Sequence, residues 1–472
     1  MRVKIFTLII NVIAIQVDLF SPNVIGDAFN GSGLIVNKRE CLKIGVTAQS
    51  QIFNVQIDTT IADTLLPSAE LNDYNGPVIT YEPSEASEPV SYTNDDYTSW
   101  EGYNTDIEIG LNQTTWKSSS PIIAIYAQSD DPKLLDNDAQ GIMGISFTPP
   151  TDDFKLLNVM DMWVSQNFIS KNEIAFHVCQ QNSNSKSWVD FGNDTPFDEC
   201  SKKNVSMTLP SLPTITLSIL DISFGRLSIE TLQKQTPFSP GYFGGANLDT
   251  CSSIIKIPDG VHENFLLALK DSSGFNDKIS KDKGYEEFLK GNIALKANPT
   301  DIVYNSLPTI TFTIATDADN IELTLGPYQY MRRVGEYYYI GIQGGAIIYA
   351  TFGRPFFEAF HLILNRSTGL LTFQLGCDCA LSKDQLPKIK TGDTVIIPIS
   401  NSDTTSASAS SLVTRTVGIT STTSSVTSPT SSPYVECIEE KDKRSFVESS
   451  AIRSGSITFP FVIGIIFYAI AF

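Results

Sequence analysis

The residues of this chain best placed to do chemistry are two aspartates, each preceded by an apolar run and followed by threonine. They are Val55-Gln56-Ile57-Asp58-Thr59-Thr60 and Ala246-Asn247-Leu248-Asp249-Thr250-Cys251, 191 positions apart. Two carboxylates a few ångströms apart cannot both ionise, so such a pair holds one proton between its members and titrates as a unit. The ionised member can take a proton from a water while the protonated member donates to the peptide carbonyl that the water attacks. That hydrolyses a peptide bond with no metal and no covalent intermediate. Asp58 and Asp249 are the candidate catalytic pair. A single Asp-Thr is an ordinary turn dipeptide; the repetition in matching surroundings carries the argument.

Other chemistries find little support. His177, His262 and His361 sit in no nucleophile–base pattern, and His361 lies in an apolar stretch that reads as core. Cys377-Asp378-Cys379 is a lone Cys-x-Cys, which in an oxidising compartment reads as disulfide rather than metal. Gly244-Gly245 precedes an aspartate loop rather than a helix, so it is no phosphate cradle. Neither a metal nor a cofactor is expected. The formal charge of -19 excludes a nucleic-acid surface, which needs clustered Lys and Arg. Nothing calls for a second chain, and a monomer is expected.

The elements that must position the aspartates are strands. From Cys41 to Ala380, runs rich in Val, Ile, Thr, Tyr and Phe alternate with Gly, Pro, Asn, Asp and Ser clusters, as in residues 51–57, 105–110, 121–126, 214–219 and 309–315. Helical periodicity shows only near residues 153–166 and 261–272. The fold class expected is all-β with minor helix. A faint duplication runs through it. Each half has an apolar strand entering Asp-Thr, then a strand ending in proline (Leu65-Leu66-Pro67; Ile255-Lys256-Ile257-Pro258), then an apolar run ending at glycine (141–145; 347–353). Two lobes follow, expected at residues 41–205 and 206–380.

With these motifs the chain resembles the pepsin-like aspartic proteases, over nearly all of residues 41–380. Residues 52–59 are similar to that family's strand into the first active-site loop, and Ala62-Asp63 and Pro67-Ser68 continue it in register. Ser252-Ser253 and Pro258 look like the second loop. Gly353-Arg354-Pro355-Phe356-Phe357, through Leu364-Asn365 to Phe373, is similar to the closing motif of the second lobe. The resemblance implies a two-lobed double barrel with a cleft, and a peptide or protein in that cleft as substrate or ligand. Thr59, Thr60, Thr250, Cys251 and Ser252 then support the active-site loops. Tyr92 or Tyr97 is the candidate for the tyrosine of the flap.

The departures are pointed. The family's loops read Asp-Thr-Gly-Ser/Thr. Here they read Asp58-Thr59-Thr60-Ile61 and Asp249-Thr250-Cys251-Ser252. Glycine serves where φ is positive or another group comes close, so a β-branched Thr60 is expected to be costly. Ile61 removes a hydroxyl that the resemblance places on the carboxylate. The activity implied is aspartic endopeptidase; the alternative is an inactive member whose cleft binds peptides or a protein partner.

The ends point outside the cell. Arg2 and Lys4 before an apolar run to Ile15 read as a signal peptide over residues 1–20, and 21–40 as a short leader containing Lys38-Arg39. Residues 381–448 read as a stalk rich in Ser and Thr. Residues 449–472, with small residues around Ser449 and Ser450 and an apolar tail, read as a lipid-anchor signal, with a tail-anchored helix as the alternative. Glycosylation candidates are Asn30, Asn112, Asn193, Asn204 and Asn365. Of seven cysteines, Cys179 and Cys200 are the expected local disulfide, Cys41 is expected to link to the Cys377–Cys379 end, and Cys251 to be the unpaired thiol.

Overall fold

The computed structural model of the chain describes residues 15–18, 25–29, 33–36, 41–81, 90–93, 99–111, 117–129, 135, 139–147, 158–180, 186–192, 203–209, 215–225, 245–346, 349–376 and 386–398. The chain divides into a unit Met1–Ser408 and a unit Ala409–Phe472, the second wholly outside the described residues. Strands dominate, with six short helices among the described residues, as the all-β expectation requires.

A seven-stranded sheet runs in the order Lys43–Ala48, Gln51–Asp58, Ile142–Gly144, Thr64–Pro67, Ser118–Gln128, Ser99–Leu111, Val90–Thr93. Lys43–Ala48 also pairs with Ser99–Leu111, Val46 opposite Leu111, so the sheet closes on itself. In Gln51–Asp58 alternation does the work expected of a half-buried strand: Phe53, Val55 and Ile57 point inward and are fully buried. The turn before it holds Gln49 and Ser50 at φ of 46° and 65°. Two successive positive φ values are what a two-residue hairpin needs to match strand twist.

Three five-stranded sheets are built mainly from residues after 216, one of them being Thr216–Leu217, Gly245–Leu248, Tyr349–Phe352, Ile255–Pro258, Ile342–Ala346. A six-stranded sheet joins early and late segments: Ile15–Asp18, Trp188–Phe191, Glu173–His177, Phe360–Asn365, Leu370–Leu375, Asn204–Thr208. Ile15–Asp18, inside the segment expected as signal peptide, is thus an edge strand paired with Trp188–Phe191. Ile25–Phe29 and Gly33–Val36, in the expected leader, pair with each other, and the latter with Ile293–Lys296.

The folded region runs past the expected end at residue 380. Lys388–Thr391 pairs with Ile321–Leu325 and then with Thr394–Ile396 through a turn in which Gly392 takes φ 50°. Burial of Ile389 and Ile396 explains why this hairpin belongs to the core rather than to a stalk. The residues beyond 398, expected as a stalk, lie outside the described residues, as do Cys437, Ser449, Ser450 and the apolar tail. Among the described residues no helix is long and apolar enough to cross a membrane.

Candidate active site

The two Asp-Thr segments occupy equivalent places in two copies of one strand arrangement. Gln51–Asp58 pairs in parallel with Ile142–Gly144, which pairs antiparallel with Thr64–Pro67, which pairs in parallel with Ser118–Gln128. Gly245–Leu248 pairs in parallel with Tyr349–Phe352, which pairs antiparallel with Ile255–Pro258, which pairs in parallel with Ile342–Ala346. Gly144 lies opposite Asp58, and Phe352 opposite Leu248, which sets Gly353 beside Asp249. Both glycines are required by close approach. A Cβ on Gly144 would stand 2.4 Å from Asp63 O, and one on Gly353 2.2 Å from Ile254 O.

The two copies meet at their threonines. Thr59 N donates to Thr250 Oγ1 at 3.2 Å and Thr250 N donates to Thr59 Oγ1 at 3.0 Å. Thr59 Oγ1 donates to Leu248 O at 2.7 Å and Thr250 Oγ1 to Ile57 O at 2.6 Å. Every one of these bonds is buried, so each threonine holds the backbone entering the opposite aspartate where water does not compete. As a result one oxygen of Asp58, one of Asp249 and the Cys251 sulfur all lie within 4.8 Å of one another. Asp58 is buried and Asp249 half-buried.

The loop residues that depart from the family pattern are where the structure corrects the sequence. Neither Thr60 nor Cys251 has positive φ, so neither needs glycine for its backbone conformation. Thr60 is exposed. Its N–H donates to Asp58 Oδ1 at 2.7 Å, and its hydroxyl donates to the same oxygen at 2.6 Å. Thr60 thus gives Asp58 the hydroxyl that the resemblance places at position 61. Ile61 instead packs on the apolar cluster of Leu65, Trp100, Ile123 and Ile125. In the second loop Cys251 N donates to Asp249 Oδ1 at 2.8 Å, and Ser252 Oγ donates to Ile254 O at 2.8 Å within its own turn.

Hydrogen bonds to a charged group contribute about 1.5–3 kcal/mol. On the aspartic-endopeptidase expectation, Thr60→Val, which keeps the shape and the N–H, should lower kcat/KM for peptide hydrolysis by about 10- to 100-fold. Thr60→Ser should stay within a few-fold of the parent, and Thr60→Gly should give no gain. Steady-state kinetics on the three variants check this.

Cys251 is not a free thiol: it forms a disulfide with Cys41. Cys41 therefore does not link to the Cys377–Cys379 end, and both of those residues lie outside the described set. The reason is proximity, because Leu42 N donates to Thr250 O at 3.2 Å and Ile57 N to Leu42 O at 2.8 Å, which seats Cys41 over both loops. A sulfur held in a disulfide supplies no thiolate, so the Asp58, Asp249, Cys251 group reads as a carboxylate pair rather than a metal set.

Two residues that the sequence reading did not single out brace the first loop. Asn158 caps the helix Val159–Ser165, accepting from Met160 N, while its amide donates to Ala62 O at 2.7 Å and Gly144 O at 2.9 Å. Arg366 donates through Nε to Ile145 O at 3.0 Å and through Nη2 to Ser146 O at 2.9 Å, with Asp161 as its counter-ion. Asn158 just before an apolar helical run was a legible capping signal; Arg366 had none. Five residues after Asp58, burial pushes the Asp63 carboxyl above its ordinary range.

Of the other expected residues, Tyr92 lies in Val90–Thr93 opposite Trp100, and the turn of that hairpin, including Tyr97, lies outside the described residues. Cys179 is disulfide-bonded; Cys200 lies outside the described residues. Asn204 is exposed in its strand, whereas the Asn365 amide donates to Glu173 Oε1. Asn30, Asn112 and Asn193 lie outside the described residues.

Protein-family models give no match to the chain, and neither do curated proteins.

Proposed function

We propose that the chain is a pepsin-like aspartic endopeptidase: a two-lobed protein, in the sense of the duplicated strand arrangement, whose Asp58 and Asp249 hydrolyse peptide bonds in a cleft between the lobes. The observation that carries this reading is the carboxylate pair within 4.8 Å, held by reciprocal threonine bonds with a backbone donor two residues along on each carboxylate. A water between the two oxygens is deprotonated by the ionised carboxylate as it attacks the peptide carbonyl. The other carboxylate gives its proton to the developing oxyanion, and the proton taken from the water goes on to the leaving amine. The loop residues Thr60 and Cys251 keep both oxygens aimed inward through the cycle.

The same reading places the protein outside the cell, tethered by a lipid anchor on a stalk rich in Ser and Thr. The Cys41–Cys251 disulfide supports an oxidising compartment.

Hydrolysis of a denatured protein between about pH 3.5 and 6, blocked by a hydroxyl-bearing transition-state peptide analogue, is the expected result. Tight binding of the analogue without turnover would replace this reading with that of a peptide-binding cleft. Neither cleavage nor binding would sink it.

A further inference from the structure

The Cys41–Cys251 disulfide stands apart from an ordinary stabilising bridge because of where its sulfurs lie. Cys251 Sγ is within 4.8 Å of oxygens of both Asp58 and Asp249, and it lies 3.7 Å from Ile57 O. Cys41 Sγ lies 3.0 Å from Gln56 Oε1, on the strand that enters Asp58. Both cysteines are buried. The bond joins residues 210 positions apart, and its two ends hold different parts of one construction. At one end, Cys251 N donates to Asp249 Oδ1. At the other, Leu42, next to Cys41, bonds to Thr250 O and to Ile57 N. The bridge thus closes a covalent ring around the junction of the two aspartate loops, on the residue that aims one carboxylate.

We propose that the Cys41–Cys251 disulfide is a positioning element of the carboxylate pair, fixing the Cys251 N–H on Asp249 and setting an uncharged sulfur beside both carboxylates. This rests on the aspartic-protease reading for its kinetic consequence, though not for its geometry. The four threonine bonds involve neither sulfur, so opening the bridge is expected to keep the fold and loosen the Asp249 loop. Opening is a two-electron reduction. One thiolate of a small dithiol attacks a bridge sulfur and breaks the S–S bond, and its second thiol closes on the mixed disulfide. Cys41 and Cys251 are left as thiols with two protons, and the reductant leaves as a cyclic disulfide.

The test compares the oxidised protein, the dithiol-reduced protein before and after reoxidation, and Cys41→Ala/Cys251→Ala, which leaves the Cys179 bridge intact. Two readouts are taken well below the unfolding temperature: the pH profile of kcat/KM, and the pH titration of 13C-labelled aspartate carboxyls. Expected are a loss of at least about tenfold in kcat/KM with a displaced acid limb, and a stepwise titration of the pair that becomes two independent ones, both restored on reoxidation. Unchanged profile and titration in the double variant overturn the proposal. Unfolding of both the reduced protein and the double variant also overturns it, since the bridge would then be purely a stabilising one. If the oxidised protein neither cleaves nor binds the analogue, yet its carboxyl titration uncouples on reduction, the positioning inference stands and the protease reading falls.

Discussion

Asp249→Asn is expected to lower kcat/KM for peptide hydrolysis by at least about 10³-fold, within the range that general acid–base groups contribute when both roles fall on one pair. Its effect on the unfolding temperature should be small. The asymmetry between activity and stability follows from the site. The amide keeps the shape of the carboxylate, and an oxygen remains to accept from Cys251 N. The threonine bonds that join the loops, moreover, do not involve either aspartate side chain. What is lost is the shared proton, because an amide neither takes a proton from water nor gives one to the carbonyl. Asp58→Asn should behave alike, and the double variant should be little worse than either single one, since members of a catalytic unit are not additive. Steady-state kinetics with thermal unfolding on the three variants decide it. Residual cleavage above about a tenth of the parent rate in Asp249→Asn would place the chemistry elsewhere.

The parts of this site legible in the sequence were those written as repeated short motifs. Asp58-Thr59 and Asp249-Thr250, with a proline-ended strand and a glycine-ended run after each, pair in the same order twice. What misled was treating a residue type as the carrier of a role. The hydroxyl that reaches Asp58 comes from Thr60, because a side chain two residues along can meet the carboxylate just as its N–H does. Cys251 stood as an apparent defect because disulfide partners are set by tertiary proximity, which spacing does not encode. Strand pairing of Ile15–Asp18 and of Lys388–Thr391 was missed for a related reason: compositional signals for a leader and a stalk overrode short β-patterns that only a partner strand makes meaningful. The Gln49-Ser50 hairpin lacks the Asn-Gly or Asp-Gly signature its φ values call for, so its turn was invisible until the strands on either side were placed.

Acid should weaken this fold through its buried histidines. His177 stacks on Trp188 with ring centroids 4.8 Å apart, and His361 stands 5.6 Å from His177 within the six-stranded sheet. Burial pushes His177 down to about 4. Burial first, and then the neighbouring His177, hold His361 well below the ordinary histidine range. His262, against Phe265, is pushed down to about 4, again by burial first, with Asp259 opposing. A folded-state value below the unfolded one means that the unfolded chain binds protons first. These groups leave stability untouched above about pH 6.5 and subtract from it as pH falls, by about 1.4 kcal/mol per pH unit for each histidine. For His177 and His262 the loss levels off below about pH 4, at roughly 3 kcal/mol each. Losses of that size are a large fraction of the stability of an ordinary domain, about 5–15 kcal/mol. The unfolding temperature should therefore drop steeply between pH 6 and 4. His177→Phe, which keeps a ring against Trp188, should flatten that slope and extend the acid range over which activity survives incubation. Thermal unfolding and residual activity measured from pH 7 to 3.5 test both statements together. A slope unchanged by His177→Phe would mean that acid loosens the protein elsewhere. Buried neutral histidines in the six-stranded sheet thus confine the fold to mild acid, because stronger acid charges groups packed in its core.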